Sequence, residues 1–254
     1  MLLNDLAIDV REPTGEDELF VLETPLSPVR AMVHLAGRVA SINDGGVLDW
    51  ARLPAARLGA VALGIRRAWV GERVVSEGTC TGDGCGERLD LSLTVSAYLA
   101  HHRPRRPRAV SPAAEEGWYS LGRTPARFRV PSVADLLAAI GEERPDLAIS
   151  AACLDPPNVT AGVARRIDRA LDALSPSLDG LVGGACPACG AAVTLFFDPV
   201  AYTFAELRGL FAGLYHETHA LASAYRWEEA TILRLPRSRR RRYWRMVVED
   251  RSVA

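Results

Sequence analysis

The stretch Cys186-Pro187-Ala188-Cys189-Gly190, followed by Ala191-Ala192-Val193-Thr194-Leu195-Phe196-Phe197, joins a tight cysteine turn to an alternating segment. Pro187 fixes one backbone dihedral of the turn, and Gly190 lets the chain turn sharply while backbone amides point toward the sulfurs. Beyond the turn, apolar residues recur at every second position, which is the period of a half-buried strand. This segment predicts a cysteine turn that leads directly into a β-strand.

The same pattern occurs once more, earlier in the chain. A shift of 104 positions carries residue 85 onto residue 189 and superimposes two segments that each follow a cysteine turn. The matched pairs are Cys85 with Cys189, Gly86 with Gly190, Leu89 with Val193, Leu91 with Leu195, Leu93 with Phe197, and Tyr98 with Tyr202. The earlier turn, Cys80-Thr81-Gly82-Asp83-Gly84-Cys85, is wider and contains two glycines. We interpret the two segments as one unit used twice, with two thiols in each copy.

Two cysteine pairs at these spacings predict a structural zinc site. Structural zinc takes four ligands in a tetrahedron, and a pair of cysteines spaced by two to four residues on a turn supplies two corners. We expect Cys80, Cys85, Cys186 and Cys189 to share one Zn²⁺. The alternatives are a redox-active pair, which would normally begin a helix, and two unrelated turns with free thiols. Four thiolates leave no position for a catalytic water, so such a site stabilises structure.

The remaining candidates for chemistry favour ordinary structural roles. Cys153 lies in an alanine-rich apolar context and is expected to be a small buried side chain rather than a ligand. His216 and His219 are three residues apart, whereas the metalloprotease motif requires four, so we favour a role in helix packing or in hydrogen bonding. The pair His101-His102 is interpreted as part of a solvated loop. Because nucleophile elbows, phosphate-binding loops and dinucleotide fingerprints are missing from the sequence, we expect neither an enzyme nor a small-molecule substrate.

Composition sets broader limits. The chain has 254 residues, of which 48% are hydrophobic, so it can bury a real core. A net charge of −1 gives no strong field toward nucleic acid or a membrane. The sequence contains no uninterrupted apolar run of about 18 residues, and its start does not resemble a secretory leader. We expect a water-soluble cytoplasmic protein, in which clustered cysteines stay reduced and serve as metal ligands.

Periodicity and capping signals predict an α+β fold, mostly helical, with a duplicated zinc ribbon and a C-terminal helical region. Short strands are predicted at Leu6–Val10 and Leu19–Leu22. Helices are predicted at Val29–Ala40, at Pro54–Trp69, from a cap at Ser132, at Thr160–Leu174, in one long segment from Asp198-Pro199 through Leu221, at Glu228–Leu233 and at Pro236–Glu249. The predicted organisation is an N-terminal helical subdomain (1–79), a first ribbon half (80–100), a basic proline-rich linker (101–118), a helical insert (119–180), a second ribbon half (181–199) and the C-terminal helices (200–254).

An arginine-rich segment, Arg237–Arg245, contains Tyr243 and Trp244 within a predicted helix. Arginines with interleaved aromatic residues suit contacts to a nucleic-acid backbone. The near-zero charge of the whole chain weighs against that use, and an ordinary surface helix or docking to an acidic protein explains the pattern as well. We therefore expect nucleic-acid binding to be the less favoured alternative.

The C-terminal string Thr218–Pro236, THALASAYRWEEATILRLP, is followed by Arg239-Arg240 and Tyr243. It resembles a pattern His-x-Leu-Ala-x-x-Tyr-Gly-Trp-x-Glu-x-x-Ile-Leu-x-Leu, with paired arginines and an aromatic residue after it. That pattern belongs to phage T4-type baseplate hub assembly chaperones and to their relatives encoded with contractile phage-tail-like injection systems. The stretch Arg129–Leu136 and the Cys-Pro-x-Cys-Gly turn are similar to theirs too. Two departures are Arg226, where glycine is usual, and the wider first cysteine pair.

The resemblance implies a non-enzymatic, zinc-stabilised assembly factor or structural accessory protein for the baseplate or hub of a contractile phage-tail-like particle. Its partner would be a baseplate or spike-hub component. An apolar patch rimmed by arginine suits a protein partner. The candidate partner-binding residues are Trp227, Ile232, Arg239, Arg240 and Tyr243. The sequence leaves open whether the aromatic residues here belong to a core or to a contact surface. The alternative function is a zinc-ribbon nucleic-acid-binding regulator that uses the C-terminal arginine-rich helix.

Overall fold

The structure, a computed structural model, describes residues 8–42, 49–122 and 124–253. Of the described residues, about 50% are helical and about 20% are in strands, so the predicted mixed α+β class is confirmed. The strands are β1 (Ile8–Val10), β2 (Ala40–Ile42), β3 (Arg73–Thr79), β4 (Arg88–Thr94), β5 (Val110–Pro112), β6 (Trp118–Leu121), β7 (Arg127–Arg129), β8 (Leu154–Asp155), β9 (Gly180–Ala185) and β10 (Ala192–Phe197). The helices are α1 (Gly15–Glu23), α2 (Pro28–Val39), α3 (Arg57–Trp69), α4 (Val95–His101), α5 (Val133–Ala139), α6 (Pro145–Cys153), α7 (Ala161–Leu174), α8 (Pro199–Phe211), α9 (Leu214–Tyr225), α10 (Glu229–Leu233) and α11 (Arg237–Val253). No helix within the described ranges is both long enough and apolar enough to cross a membrane.

The chain forms two compact units, each assembled from separate segments. We call the first the cysteine unit; its described part comprises residues 49–61 and 72–199. The second, the helical unit, comprises residues 8–42, 62–71 and 200–253 in its described part. Segments distant in sequence therefore share a unit, and helix α3 contributes to both.

Two antiparallel hairpins and a four-stranded sheet make up the strands of the cysteine unit. Strands β3 and β4 pair from Arg73 opposite Thr94 to Thr79 opposite Arg88. Strands β9 and β10 pair from Gly180 opposite Phe197 to Ala185 opposite Ala192. The four-stranded sheet has the antiparallel order β5-β6-β7-β8. Each hairpin thus carries a cysteine turn at its tip.

The four-stranded sheet has a core of its own. Phe128 on β7 is fully buried, and it belongs to one apolar cluster with Ile167, Ala170 and Leu174 of α7. These three helical residues lie three or four positions apart, so one face of α7 covers the sheet. Helix α7 begins where predicted, because the hydroxyl of Thr160 accepts a hydrogen bond from the Val163 amide at 3.4 Å.

In the helical unit, helix α9 contacts α1, α10 and α11. Leu214 and Leu221 of α9 are buried, as are Phe211 at the end of α8 and Ile232 of α10. The backbone of α10 approaches α1 so closely that a Cβ on Gly15 would lie 2.7 Å from the Cα of Leu233. Only glycine fits at that position without a shift of the backbone.

Several local predictions are confirmed. Helix α2 covers the segment predicted at Val29–Ala40, and strands β4 and β10 lie where alternation indicates them. The predicted cap at Ser132 is present, since its hydroxyl accepts a hydrogen bond from the Asp135 amide at 3.3 Å. The Asp135 carboxylate in turn accepts one from the Ser132 amide at 2.8 Å. Of the strand predicted at Leu6–Val10, residues 8–10 form β1 and the rest lies outside the described residues.

Three local predictions are wrong. The strand predicted at Leu19–Leu22 is part of α1, which starts because the Asp17 carboxylate accepts hydrogen bonds from the amide and hydroxyl of Thr14. The single long helix predicted from Pro199 through Leu221 is divided into α8 and α9, with Gly213 at the start of the second. Glycine destabilises the interior of a helix, and the break between α8 and α9 lies next to Gly213.

The third wrong prediction concerns the segment 101–118, which is not an unstructured linker throughout. Residue 101 ends α4, and Val110–Pro112 forms β5. Pro112 is tolerated there because β5 is the edge strand of its sheet, where a missing amide donor breaks no interior ladder. The insert at 119–180 holds three strands, β6, β7 and β8, besides its helices.

Candidate metal centre

The four predicted ligands come together at the tips of the two hairpins of the cysteine unit. Cys80 and Cys85 lie between β3 and β4, and Cys186 and Cys189 lie between β9 and β10. All four Sγ atoms lie within 4.8 Å of one another. The separation is 3.6 Å between Cys80 and Cys189 and 3.9 Å between Cys85 and Cys186. Both of these short distances join one hairpin to the other, so the sulfurs form one mixed cluster.

These sulfur separations fit a single tetrahedral ion and do not fit disulfides. A Zn–S bond of about 2.3 Å places the sulfurs of a regular tetrahedron about 3.8 Å apart. The observed 3.6 and 3.9 Å bracket that value. A disulfide needs an S–S distance of about 2.05 Å, and all five cysteines of the chain are free thiols. The four cysteines therefore lie together as a set that could hold a metal ion.

The two turns repeat the same backbone geometry despite their different lengths. The Cys80 amide donates to the Glu87 carbonyl at 2.8 Å, and the Cys186 amide donates to the Ala191 carbonyl at 2.8 Å. The glycines after the second cysteine of each pair, Gly86 and Gly190, adopt φ of 62° and 75°. Left-handed backbone of this kind favours glycine, which explains why both copies keep it.

Backbone amides and burial set the charge state of the thiols. Amide hydrogen bonds, first from Cys189, lower the pKa of Cys186 to about 7. For Cys80, the Gly82 amide favours the thiolate, but burial and the neighbouring thiols outweigh it and raise the pKa to about 12. Four thiolates cannot all form in so small a volume without a cation between them. The arrangement suits a divalent ion, which makes every thiolate favourable at once.

The site is buried on one side and open on the other. Cys80 and Cys186 are buried, together with Leu89 and Val193 from the strands that follow the two turns. Cys85 is half-buried and Cys189 is exposed. Gly82 is packed tightly inside the cluster, since a Cβ there would lie 2.9 Å from the Cβ of Ala191 and 3.3 Å from the Cys189 Sγ. The two hairpin tips therefore interlock around the sulfurs.

The other predicted sites stay separate from this cluster. Cys153 is buried, and burial, as the main cause, raises its pKa to about 11. His216 and His219 are exposed on α9, while Glu217 between them is buried and ion-paired. In the described part of the chain, the four cysteines form the one group of three or more such side chains close enough to share an ion.

The five candidate partner-binding residues divide into two groups. Ile232 and Arg240 have 0% exposure, so the prediction that they contact a partner directly is corrected: both belong to the core of the helical unit. Trp227 and Tyr243 are half-buried, with their rings edge-on at 5.2 Å. Arg239 is exposed, and its guanidinium lies over the Tyr243 ring at 5.9 Å. Only this second group has atoms available at the surface.

Arg240 is the centre of a buried ionic cluster. Its Nη2 lies 2.6 Å from the Glu18 Oε2, and its Nε lies 3.0 Å from the Glu217 Oε2. Arg237 pairs with the second Glu18 oxygen at 3.0 Å, and Arg241 with the second Glu217 oxygen at 3.3 Å. Charges so deeply buried are tolerated only when they are paired. Much of the arginine run therefore neutralises carboxylates inside the unit.

Sequence reasoning missed two parts of these sites. Glu18 is 222 positions from Arg240, and it lies immediately before the predicted strand Leu19–Leu22. Strands β3 and β9 were also missed, although each supplies one side of a cysteine hairpin. The adjacent β-branched residues Val74 and Val75 are a weak signal for β3, whereas the glycines of β9 leave no apolar period to detect.

The fold and site define an α+β protein with a cluster of four cysteines, built from two hairpins, that could hold a metal ion. No family model, no curated protein and no solved structure matches the chain. Its function is therefore inferred from its own residues.

Proposed function

We propose that this protein is a zinc-stabilised, non-enzymatic assembly factor or structural accessory protein for the baseplate or hub of a contractile phage-tail-like particle, acting in the cytoplasm. The proposal of a zinc site rests on the four cysteine Sγ atoms, which lie within 4.8 Å of one another at the tips of two hairpins. With four thiolates the coordination sphere of zinc is complete, so the ion would hold the hairpins together and activate no water.

The choice of zinc rests on ligand chemistry. Tetrahedral sites with four sulfurs take zinc or iron, and closed cysteine pairs on short turns are typical of structural zinc. Amide hydrogen bonds to the sulfurs, such as the 3.3 Å contact from Gly82 to Cys80, orient the ligands from outside the coordination sphere. We therefore assign zinc and treat iron as the outcome that elemental analysis would distinguish.

The assembly role rests on the C-terminal resemblance, and the backbone at Arg226 supports it. Arg226 follows α9 with φ of 57°, and it is the one non-glycine residue of the described chain with positive φ. Left-handed backbone after a helix favours glycine, which is the residue usual at this position in the hub chaperones. Arg226 therefore replaces the usual glycine at a position where the backbone still has the left-handed conformation that glycine favours.

The nucleic-acid alternative has less support. Of its arginines, Arg240 is fully buried, and Arg237 and Arg241 pair with Glu18 and Glu217. Phosphate contacts need free cations at a surface. In the described chain this leaves fewer of the helix arginines available than the sequence suggested.

Elemental analysis of the purified full chain tests the metal assignment. We expect one zinc ion per chain, and we expect Cys189→Ser to lose it, because three thiolates hold zinc far more weakly than four. Cys153→Ala is the matched control, since it removes a cysteine outside the cluster. Iron in place of zinc, or equal zinc in both variants, would contradict the assignment.

Affinity purification tests the assembly role. The tagged chain, expressed in the cells that encode it, should enrich baseplate or spike-hub proteins, and Arg239→Glu should reduce that enrichment while zinc content stays unchanged. Arg245→Glu, on the same helix, is the control. Retention on heparin that falls steeply with salt, together with binding to duplex DNA at physiological salt, would instead favour the nucleic-acid alternative.

A further inference from the structure

The basic segment after α4 borders a cavity of about 480 Å³ in the cysteine unit. Small-molecule sites commonly have volumes of about 300 to 1,000 Å³. The polar side chains that line the cavity are His101, His102, Arg103, Arg105, Arg169 and Asp172. The sequence predicts only a solvated loop here, but the structure places α7 beside it as a second wall.

The lining carries an excess of positive charge. Three arginines and one aspartate line the cavity. Arg103, Arg105 and Arg169 form no ion pair with any carboxylate of the described residues. The Nε of Arg169 donates to the Arg165 carbonyl at 3.2 Å, which leaves its terminal nitrogens available. Three like charges gathered with a single counter-charge repel one another, and a bound anion would relieve that repulsion.

The walls of the cavity are held in place without a ligand. The Arg105 amide donates to the Ala173 carbonyl on α7 at 2.7 Å. The His102 Nδ1 lies 2.9 Å from the Tyr98 carbonyl oxygen, and the Tyr98 hydroxyl donates to the Leu178 carbonyl at 2.6 Å. A site that is already ordered loses less conformational entropy when it binds.

We infer that this cavity binds a short polyphosphate chain, either free or as part of a nucleoside triphosphate. Guanidinium groups match the oxygens of phosphate with two parallel hydrogen bonds, and several such groups around one cavity suit a compact chain with several negative charges. A nucleic-acid strand fits less well, because the lining holds no Phe, Tyr or Trp on which bases could stack. This inference does not depend on the proposed assembly role.

Isothermal titration of the full metal-loaded chain with inorganic tripolyphosphate, ATP and AMP tests the inference. We expect Arg169→Gln to weaken binding of tripolyphosphate about tenfold, as the loss of one charged hydrogen bond implies. Arg245→Gln is the matched control, because Arg245 makes the same contact to a carbonyl four residues earlier on α11. We expect Asp172→Asn to tighten binding about threefold, since it removes a repelling charge.

The outcomes separate the possible ligands. Tighter binding of ATP than of tripolyphosphate identifies a nucleotide, and equal binding of the two with none of AMP identifies the phosphate chain alone. Absence of binding by both, or equal weakening by Arg169→Gln and Arg245→Gln, would overturn the inference. Tighter binding of a 20-nucleotide single strand that depends on Arg169 would also overturn it, in favour of a nucleic-acid surface.

Discussion

Replacement of Arg240 by methionine separates a structural role for this arginine from a role at a surface. Methionine keeps an unbranched apolar stem but is shorter than arginine and carries no charge. Arg240 has 0% exposure and contacts Glu18 and Glu217, which are also buried. We expect Arg240→Met to destabilise the helical unit, because it leaves two buried carboxylates with fewer partners.

The size of the effect follows from what remains around each carboxylate. Removal of one partner from a buried ion pair costs about 3–5 kcal/mol when the other charge is left alone. Here Glu18 keeps Arg237 at 3.0 Å, and Glu217 keeps the half-exposed Arg241 at 3.3 Å. We therefore expect the lower end, about 3 kcal/mol, a large share of the 5–15 kcal/mol that stabilises a typical domain.

Urea unfolding of the zinc-loaded chain, followed by tryptophan fluorescence, measures this cost. A loss of about 3 kcal/mol lowers the unfolding midpoint by about 1–3 M for ordinary slopes. Arg239→Met is the matched control. Arg239 precedes Arg240 on the same helix but is exposed, so its replacement should change the free energy of unfolding by less than about 0.5 kcal/mol. Equal midpoints for the two variants would refute the structural role. Adding Glu18→Gln to Arg240→Met should recover part of the loss, because it removes a buried charge that has lost one of its two arginine partners.

Four further predictions test other parts of the structure. Arg226→Gly should raise the free energy of unfolding by about 0.5–1 kcal/mol, because it relieves left-handed backbone strain at some cost in unfolded-chain entropy; urea unfolding would measure it. The Arg129 guanidinium holds the pKa of Asp135 far below its usual range, so stability from this pair is full above about pH 4 and is lost as the pH falls further. Asp135→Asn should therefore cost about 1.5–3 kcal/mol at pH 7 and much less at pH 2, in unfolding experiments at both values. Gly82→Ala should weaken zinc binding in a chelator competition, whereas Gly78→Ala should not, because a Cβ on Gly78 meets its nearest neighbour at an ordinary 3.6 Å. Zinc removal should increase hydrogen exchange in β3, β4, β9 and β10 more than in β5–β8, whose apolar core is separate; equal increases would contradict this.

The four-cysteine cluster could be predicted from the sequence because its information is local and repeated. Each cysteine pair lies within a few residues, and the alternation after Cys85 and Cys189 indicates the same strand twice. The structure adds that the repeated unit continues into a helix, since α4 follows β4 and α8 follows β10 directly. The first strand of each hairpin was missed. Strand β9 is rich in glycine, so its composition does not favour a strand, and it is held in the extended conformation by its pairing with β10.

The buried ionic cluster could not be predicted for a different reason. Arginines on an amphipathic helix look alike in sequence, whether they face solvent or a buried carboxylate. What distinguishes Arg240 from Arg239 is Glu18, at the other end of the chain, and the helix rotation that aims one side chain inward. Information that depends on contacts between distant segments is not carried by periodicity or by local spacing.

The duplicated unit also explains why a metal would decide the association of the two hairpins. Cys85 and Cys186 are 101 positions apart, and closing a flexible chain of that length costs about 4 kcal/mol or more. Besides the cysteines, the buried residues of the cluster between the hairpins are Leu89 and Val193, and their burial contributes about 3–6 kcal/mol together. These two terms nearly cancel, whereas zinc bound by four thiolates contributes about 10–16 kcal/mol. Each copy supplies only half of the ligands, so the ion can be held only when both copies meet, and sequence duplication becomes a structural requirement.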